Sequence, residues 1–266
     1  HKEYRRQRQM CIRDRYWDAW NIDPHYAQYP LEETQLKSLE YLETGPLRWC
    51  LRVVRQWRDS QFCQDYILEI DSPILKIVNR VDWRETHVLV KVAFPLTVAN
   101  DFATYEIACG AINRSHQEQE KWEVYGKNWA DLSDKSGNYG VSLLNNCKYG
   151  YDAQSNQLRL TLLRGATWPD EKADLGSHQF TYTLYPHPQT WQAAKTVQKG
   201  YELNIPLEIV ILERHKPSSS CLPLKASWIS LGSQDLILMA LKRSQEHPQE
   251  WILRCYESQG QGTELE

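Results

Sequence analysis

Leu158-Arg159-Leu160-Thr161-Leu162 alternates apolar and polar side chains with a period of two. Successive side chains of a β-strand point to opposite faces of a sheet, so the leucines are predicted to face a core and Arg159 and Thr161 to face away from it. Nine further short runs are rich in β-branched or aromatic residues and are predicted strands: Tyr66–Ile70, Ile74–Val81, His87–Phe94, Thr104–Ile112, Val141–Leu144, Phe180–Tyr185, Leu207–Leu212, Leu236–Leu241 and Trp251–Tyr256. Pro, Gly, Asn, Asp and Ser separate these runs at spacings typical of a β-sandwich.

Helical signals are scarce. Thr190–Val197 has the length of two helical turns, and Glu32–Leu42 has helical spacing among strand-like neighbours. The sequence therefore predicts an all-β protein built from two layers of antiparallel sheet. The linker-like string Lys216-Pro217-Ser218-Ser219-Ser220 predicts a large β-sandwich over 46–215 and the start of a smaller β domain over 216–266.

Residues 2–15 are strongly basic, unlike the rest of the chain, and basic arms bind nucleic acid or anionic membranes. The whole chain has 31 basic and 34 acidic residues. Without the six basic and two acidic residues of this segment, 25 basic and 32 acidic residues remain, a net charge of −7. Because the rest of the chain has this negative net charge, it repels a phosphate backbone, and no nucleic-acid partner is predicted. The string RRQRQMCIRDR also resembles read-through of a sequencing adapter, so residues 1–15 are treated as non-native and excluded from the fold prediction.

The C-terminal end resembles an interrupted hairpin. Trp251–Glu257 predicts a strand, Gly260 and Gly262 predict a turn, and Glu264–Glu266 would begin the partner strand. Because natural proteins avoid unpaired strand edges, we expect the smaller β domain to be truncated.

Cysteine usage and hydropathy bear on the cellular compartment. The 7 cysteines are scattered, odd in number and without a CxxC pair, which favours free thiols in a reducing cytoplasm. No run of 18 apolar residues occurs, so no membrane span is predicted.

Seven strings carry a more specific signal: WDAWNIDP (17–24), VDWRETH (81–87), GVSLLNNCKYGYD (140–152), LTLLR (160–164), WPD (168–170), DLGSHQFTY (174–182) and YPH (185–187). Their order and spacing resemble the C-terminal region of family 38 α-mannosidases of the cytosolic, broad-specificity type. The resemblance covers roughly residues 16–266. It implies a galactose-mutarotase-like supersandwich, preceded over 16–45 by a connector from a catalytic domain that this sequence does not contain.

In that family, an N-terminal α/β domain binds zinc through two Asp and two His and supplies an Asp nucleophile and an acid/base carboxylate. A pair of carboxyl groups is what a retaining glycosidase requires. None of that domain's motifs occurs here, so the resemblance transfers no catalytic residue and no metal ligand to this chain. It implies zinc in the intact enzyme, the enzyme's own catalytic domain and α-mannoside oligosaccharides as partners, and leaves a homo-oligomer open. The alternative is a self-standing carbohydrate-binding sandwich without hydrolytic activity.

Two strand-end loops are the candidate substrate or domain contacts. In the first, Asn146, Lys148 and Tyr149 present an amide, an ammonium and a phenol that can hydrogen-bond sugar hydroxyls. The alternative there is a hairpin held by its own side chains. The second loop contains Arg164, suited to pairing with a carboxylate across an interface, with a ring at Trp168 to stack on a sugar and a carboxylate at Asp170. The alternative there is a packed β-edge loop.

Three other groups favour structural roles. His178 and His187 stand near Asp174 without a zinc-ligand spacing, and a strand over 180–185 would hold the two histidines at its opposite ends. Both are therefore predicted to make structural hydrogen bonds. Cys147 has no identifiable His partner, which argues against a nucleophile. The carboxylates of Asp131 and Asp134 resemble an acid/base pair but are predicted to lie in a solvated turn.

Overall fold

The computed structural model describes residues 8–13, 22, 26–116, 123–211, 223 and 225–265. These residues form sixteen strands and one α-helix, which confirms the all-β prediction. In chain order the elements are β1 (Arg8–Arg13), β2 (Gln35–Thr44), β3 (Arg48–Trp57), β4 (Ser60–Glu69), β5 (Leu75–Trp83), β6 (Val88–Pro95), β7 (Phe102–Ile107), β8 (Gly110–Ser115), β9 (Val124–Tyr125), β10 (Trp129–Ser133), β11 (Tyr139–Asn145), β12 (Gly150–Gln154), β13 (Gln157–Leu163), β14 (Gly176–Pro188), α1 (Thr196–Asn204), β15 (Leu236–Arg243) and β16 (Trp251–Glu257).

Two sheets form the sandwich. The first has the strand order β1-β6-β13-β12-β9 and the second the order β2-β3-β4-β5-β14-β11-β10-β7-β8. All of the strand pairs with a described register are antiparallel. A single buried cluster joins both sheets, for example Val90 and Leu160 from the first with Phe62, Leu132 and Phe180 from the second. The segment 2–15, set aside in the fold prediction, contributes the edge strand β1, which pairs with β6.

The alternation in β13 is confirmed, with an addition. Leu158, Leu160 and Leu162 all lie in the core cluster. Arg159 faces away from that cluster as predicted, yet it is buried as well. The opposite face of this sheet is covered by Tyr26, which packs with Ile22 and Leu89 in a second small cluster. The first sheet is therefore buried on both faces at this point.

The helical spacing in Glu32–Leu42 was misleading. Residues 35–44 form β2, whose register with β3 shifts between Leu36 and Ser38 and again between Tyr41 and Glu43. These bulges place Leu36, Leu39 and Tyr41 opposite Arg55, Val53 and Leu51, so all three lie on one face of the sheet. A bulged strand thus produced the intervals of three and two that resembled a helix. Strand β2 also lies within the range predicted to be a connector.

Other element predictions need correction. The helix begins at Thr196, after a series of turns, and the predicted helical turns over 190–197 overlap it at two residues only. The single run Thr104–Ile112 is two strands, because the chain turns at Cys109 with a positive φ of 57°. Residues 207–211 form no strand, and Leu212 lies outside the described residues.

The chain divides into two compact units. One comprises residues up to 107 together with 112–204, and the other comprises 108–111 together with 205–266. The second unit contains the antiparallel pair β15 and β16. The predicted linker 216–220 lies outside the described residues, as does Glu266, and residues 262–265 form no partner strand for β16.

Candidate functional site

The loop between β11 and β12 is built around Asn145, which is buried. Its Oδ1 accepts hydrogen bonds from the backbone N–H groups of Cys147 at 2.9 Å and Lys148 at 2.6 Å. Its Nδ2 donates to the Lys127 carbonyl at 3.2 Å and to the Tyr151 hydroxyl. An Asn side chain that satisfies the backbone in this way fixes the turn and the direction of the residues after it. Asn145 was not among the predicted site residues, although Asn at a strand end is itself a turn signal.

Asn146 anchors the same loop to the neighbouring strand β14. Its Oδ1 accepts from the Thr181 N–H at 2.9 Å, and its own N–H donates to the Thr181 carbonyl at 3.1 Å. The side-chain oxygen predicted to bind a sugar is thus already bonded to backbone. This geometry agrees with the hairpin alternative for Asn146 and leaves the exposed part of its amide at the surface.

Lys148 lies half-buried against the face of an aromatic ring. Its Nζ is 4.5 Å from the centroid of Phe180, within the range of a cation–π interaction. Burial lowers the pKa of the Lys148 ammonium, while the negative charges of Cys147 and Asp174 act in the opposite direction. No carboxylate in the described part of the chain forms an ion pair with it. The ammonium is therefore held in place with its charge not neutralised by a salt bridge.

Tyr149 forms an exposed aromatic platform with Tyr125. The two rings stack with centroids 6.0 Å apart and an interplanar angle of 20°. Each ring is about half exposed, at 53% for Tyr149 and 51% for Tyr125. Flat exposed rings are suited to contact the apolar face of a sugar. Tyr125 was missed because it lies in the two-residue strand β9, and only the pairing of Tyr125 with Gly150 brings it here.

The second predicted loop, between β13 and β14, is closed by Asp174. Its Oδ2 accepts from the N–H groups of Arg164 and Gly165, each at 2.8 Å. His178 Nε2 donates to the Asp174 carbonyl at 2.6 Å. This contact gives His178 the structural hydrogen bond that was predicted. Gly165 has a φ of +61°, and a Cβ there would lie 2.9 Å from the Glu85 carbonyl oxygen, so the loop requires glycine.

Trp168 and Asp170 lie at the surface of this second loop. Trp168 precedes a cis proline and is 60% exposed. The Asp170 Oδ1 accepts from the Lys172 N–H at 2.8 Å, so this carboxylate stabilises its own turn. The first loop packs on Phe180 and Thr181 of β14, and Asp174 of the second loop is near enough to act on the charge of Lys148, whereas Asp170 remains in a local turn.

Asp131, His187 and Ser142 form a buried cluster that resembles a catalytic triad in composition only. His187 Nε2 lies 2.8 Å from Asp131 Oδ2 and 3.2 Å from Ser142 Oγ, so one ring nitrogen contacts both partners. A triad requires the carboxylate and the hydroxyl on opposite ring nitrogens, and a nucleophile accessible to substrate. All three residues are buried. The prediction of a solvated turn is therefore wrong for Asp131, which lies in β10, and agrees with the structure for Asp134, which is partly exposed and begins the turn after that strand.

The described residues do not fit a metal ion. Across them, no group of three or more His, Cys, Asp or Glu side chains converges in a way that could hold one. His178 and His187 lie near opposite ends of β14, as predicted. The zinc implied by the family resemblance therefore has no ligand set in this part of the chain.

Among the described residues, no helix has the length and apolar character needed to span a membrane.

Comparisons with known proteins agree on one family. Residues 2–172 match the model of the glycosyl hydrolases family 38 C-terminal domain. The chain is 34% identical to human alpha-mannosidase 2C1 over 256 residues, covering 92% of this chain and 24% of that protein. It is 32% identical to alpha-mannosidase G of Dictyostelium discoideum over 258 residues, covering 93% and 23%. The chain thus spans about a quarter of the length of the curated relatives it matches.

Solved structures show the same fold. A glycosyl hydrolase family 38 protein from Enterococcus faecalis superposes with a TM-score of 0.78, covering 95% of this chain and 34% of that one, at 13% sequence identity. An alpha-mannosidase from Enterococcus faecalis V583 gives a TM-score of 0.77 with 95% and 33% coverage, again at 13% identity. Both alignments extend over nearly the whole of the present chain.

Proposed function

Since this chain belongs to glycosyl hydrolase family 38 through its C-terminal domain, we propose that it is the non-catalytic β region of a retaining α-mannosidase. In the intact enzyme the polypeptide outside this chain would bind the zinc ion and supply the two catalytic carboxylates. This chain would pack on that part and help to complete the cleft for terminal α-mannosides. The family match supports this function over that of a self-standing carbohydrate-binding module.

The observation that carries the proposal is an exposed apolar face on β2, β3 and β4. It consists of Leu36, Leu39, Tyr41, Trp49 and Leu68, which we call the β2–β4 apolar face. All five side chains are about half exposed or more. Soluble proteins rarely expose large contiguous apolar patches unless a partner covers them.

Register shows that these side chains share one side of the sheet with the core. Trp49 pairs with Leu68, Leu51 with Tyr66, and Val53 with Gln64, and residues paired directly across strands point to the same face. Further along β4 that same face carries Phe62, which is fully buried in the sandwich. The apolar face is therefore the continuation of the core side of the second sheet.

The opposite side of these strands carries charged side chains, and its apolar residues Cys50 and Ile67 are already buried. Asp65 accepts hydrogen bonds from Arg52 Nε at 2.7 Å and from Arg80, and the three side chains form a charged group across β3, β4 and β5. The large exposed apolar side chains therefore lie on the core side, and it is this side that requires a covering layer. We assign that layer to the catalytic part of the α-mannosidase, because the curated relatives have about three quarters of their length outside the matched region.

The two candidate loops would contribute to the substrate cleft. The Tyr125 and Tyr149 rings offer a stacking surface, and the Lys148 ammonium, without an ion pair among the described residues, can donate to sugar hydroxyls. Trp168 offers a second exposed ring, and the Arg164 side chain and Asp170 add charged groups for a contact with the catalytic part or with the glycan. These six positions are proposed as substrate or interface contacts, with Asn146 as the anchor of the first loop.

The proposed setting is the cytoplasm, with free α-mannoside oligosaccharides as substrates. Cys50, Cys63, Cys109, Cys147 and Cys255 are free thiols, which suits a reducing compartment.

A direct assay tests whether this chain lacks catalytic activity of its own. The purified chain is incubated with an aryl α-mannoside, with and without added zinc, and we expect no turnover above buffer under either condition. Zinc-dependent turnover that co-purifies with the chain would show that it has its own active site, contrary to the proposal.

A chimera tests the positive part of the proposal. In human alpha-mannosidase 2C1, the 256 matched residues are replaced by those of this chain. We expect a zinc-dependent α-mannosidase that loses activity and solubility when Leu39→Lys and Tyr41→Lys are introduced together. Trp228→Lys, at another exposed apolar position, is the matched control and should leave the chimera active. A chimera indifferent to the double substitution would disprove docking through this face.

A further inference from the structure

A second cleft opens at the far end of the second sheet from the candidate loops. It lies among the segments 100–104, 133–137 and 190–192, with a volume of about 480 Å³. The first candidate loop begins at Asn145, the end of β11, whereas the cleft adjoins the turn that precedes Tyr139 at its start. Seven residues of extended strand separate these points by about 20 Å. The cleft is thus separate from the Tyr125–Tyr149 platform.

The lining of the cleft is rich in uncharged hydrogen-bonding groups. Amides come from Asn100 and Asn113, and hydroxyls come from Ser133, Ser136 and Thr190. Some of these groups also hold one another in place: Asn100 Nδ2 donates to the Ser133 carbonyl at 2.8 Å, and Thr104 Oγ1 donates to Asn113 Oδ1 at 2.7 Å. The donor and acceptor capacity that these bonds leave on the amides and hydroxyls complements a ligand with many hydroxyl groups.

The charged side chains of the cleft are already paired or bonded. Lys135 Nζ lies 2.5 Å from Asp101 Oδ2. The Asp134 Oδ1 accepts from the Ser136 hydroxyl at 3.0 Å and from the Asn138 N–H at 2.9 Å. Three carboxylates against one ammonium disfavour an anionic ligand, and these existing bonds disfavour a bare cation. A neutral polar ligand is left as the best fit.

Two aromatic rings add apolar surface to this polar cleft. Trp191 is held against the buried Trp129, with ring centroids 5.0 Å apart, and Phe102 is 42% exposed. Rings beside convergent polar groups fit the alternating C–H and O–H faces of a pyranose.

The floor of the cleft is held rigidly by the buried cluster described above. Asp131 lines the cleft while being only 1% exposed. Its Oδ1 accepts from Ser133 Oγ and its Oδ2 from Ser142 Oγ, both at 2.7 Å, and His187 Nε2 lies 2.8 Å from Oδ2. The cluster therefore fixes the position of Ser133 before any ligand arrives, which reduces the entropy lost on binding.

We propose that this cleft is a second carbohydrate-binding site, which takes one or two neutral sugar units at a distance from the Tyr125–Tyr149 platform. In the intact enzyme such a site would hold a branch of an oligosaccharide. The choice of mannose as the first sugar to test rests on the proposed function, whereas the preference for a neutral saccharide rests on the cleft itself.

The test is a titration of the isotope-labelled 266-residue chain with methyl α-D-mannopyranoside and with a linear α-linked mannotriose, followed by two-dimensional NMR. Mannose 6-phosphate serves as the anionic comparison. We expect shift changes concentrated in residues 100–104, 133–137 and 190–192, with the neutral sugars binding more tightly than the phosphate. Phe102→Ala, which removes a partly exposed ring, should weaken binding about tenfold. Trp191→Phe, which keeps an aromatic ring on Trp129, should weaken it less.

Two results would overturn the second site. Shift changes at 125 and 145–149 that Tyr149→Ala abolishes and Phe102→Ala does not would place the sugar on the tyrosine platform. The absence of any change up to about 50 mM saccharide would show that the cleft binds neither sugar. Neither result affects the zinc-dependent activity expected of the chimera, so the second site and the proposed function are tested independently of each other.

Discussion

Lys91 is the residue on which a buried group of charges depends. It is fully buried on the first sheet, and its Nζ lies 2.5 Å from Glu123 Oε2 and 2.7 Å from Asp152 Oδ2. Arg159 also bonds to Asp152, and the Tyr26 ring lies over both cations. Burial opposes the Lys91 charge, but the two carboxylates outweigh it and raise the pKa of Lys91.

Replacing Lys91 by Met should destabilise the protein strongly. The change leaves two carboxylates with one remaining cation in a buried site, and removing one partner of a buried ion pair costs about 3–5 kcal/mol. The free energy of unfolding from urea titrations at pH 7 measures the effect. Lys135→Ala, which breaks an exposed pair with Asp101, is the control and should change stability by about 0–1 kcal/mol. Equal effects of the two substitutions would mean that water reaches the Lys91 site.

Asp65 should make stability depend on acid. The hydrogen bond from Arg52 lowers the pKa of Asp65 below its ordinary value of 3.8; burial opposes the shift, and Arg80 adds to it. A carboxyl with a lower pKa in the folded state stabilises the protein above the unfolded value, and this stabilisation is lost as the pH falls through the folded pKa. Asp65→Asn should therefore be destabilised relative to wild type at pH 7, with the difference shrinking below about pH 4. Urea titrations at pH 7 and pH 3 measure it, and a difference independent of pH would contradict it.

The positions of loop residues could be predicted where the signal was local, whereas their role in a substrate or interface contact stays a prediction. Lys148 and Tyr149 follow a strand and a turn-forming Asn, and the structure places both in the loop after β11, with Lys148 half-buried and Tyr149 exposed. Tyr125 could not be found in this way, because it reaches Tyr149 through strand pairing between distant segments. Asp131 was misjudged for a related reason: only the pairing of β11 with β10 on one side and with β14 on the other brings its partners, Ser142 and His187, next to it.

At the scale of elements, strands buried on one face were predictable and bulged strands were not. β13 alternates over Leu158–Leu162, and these leucines were assigned to the core correctly; its register with β6 shifts only at its end, between Thr161 and Leu163. β2 breaks the alternation at two bulges, so its apolar residues lose the period of two that identifies a strand. β3 was missed altogether, since its polar and apolar residues do not alternate over Arg48–Trp57.

The β2–β4 apolar face should dominate the surface hydrophobicity of the isolated chain. Leu39→Lys combined with Tyr41→Lys should lower the fluorescence of bound ANS and reduce self-association in sedimentation experiments. The melting temperature should change little, because Leu39 is 56% and Tyr41 60% exposed. Trp228→Lys is the matched control, since it removes one ring that is 98% exposed outside this face. Equal fluorescence losses in the two variants would show that the face is not a continuous dye-binding surface.

On the scale of the whole molecule, the sandwich is complete by the end of α1. Every residue of the main core cluster, from Trp57 to Tyr182, belongs to the first unit. The helix adds three supports: Thr196 Oγ1 lies 2.8 Å from Ser142 Oγ, Gly200 packs against Trp129, and Asn204 Nδ2 donates to the Asn145 carbonyl at 3.1 Å. These contacts tie α1 to β10 and to the middle and the end of β11.

A chain that ends at Ile211 should therefore keep the sandwich intact. We expect a β-rich circular dichroism spectrum and a melting temperature within about 4 °C of the full chain, a shift equivalent to about 1 kcal/mol for this size. A chain that ends at Ala193 is the matched control: it loses α1 and leaves Ser142 without its Thr196 partner, so it should melt far lower or fail to fold. If the chain ending at Ile211 behaved like the one ending at Ala193, residues 212–266 would be part of the cooperative core. The division of the molecule into two units would then be wrong.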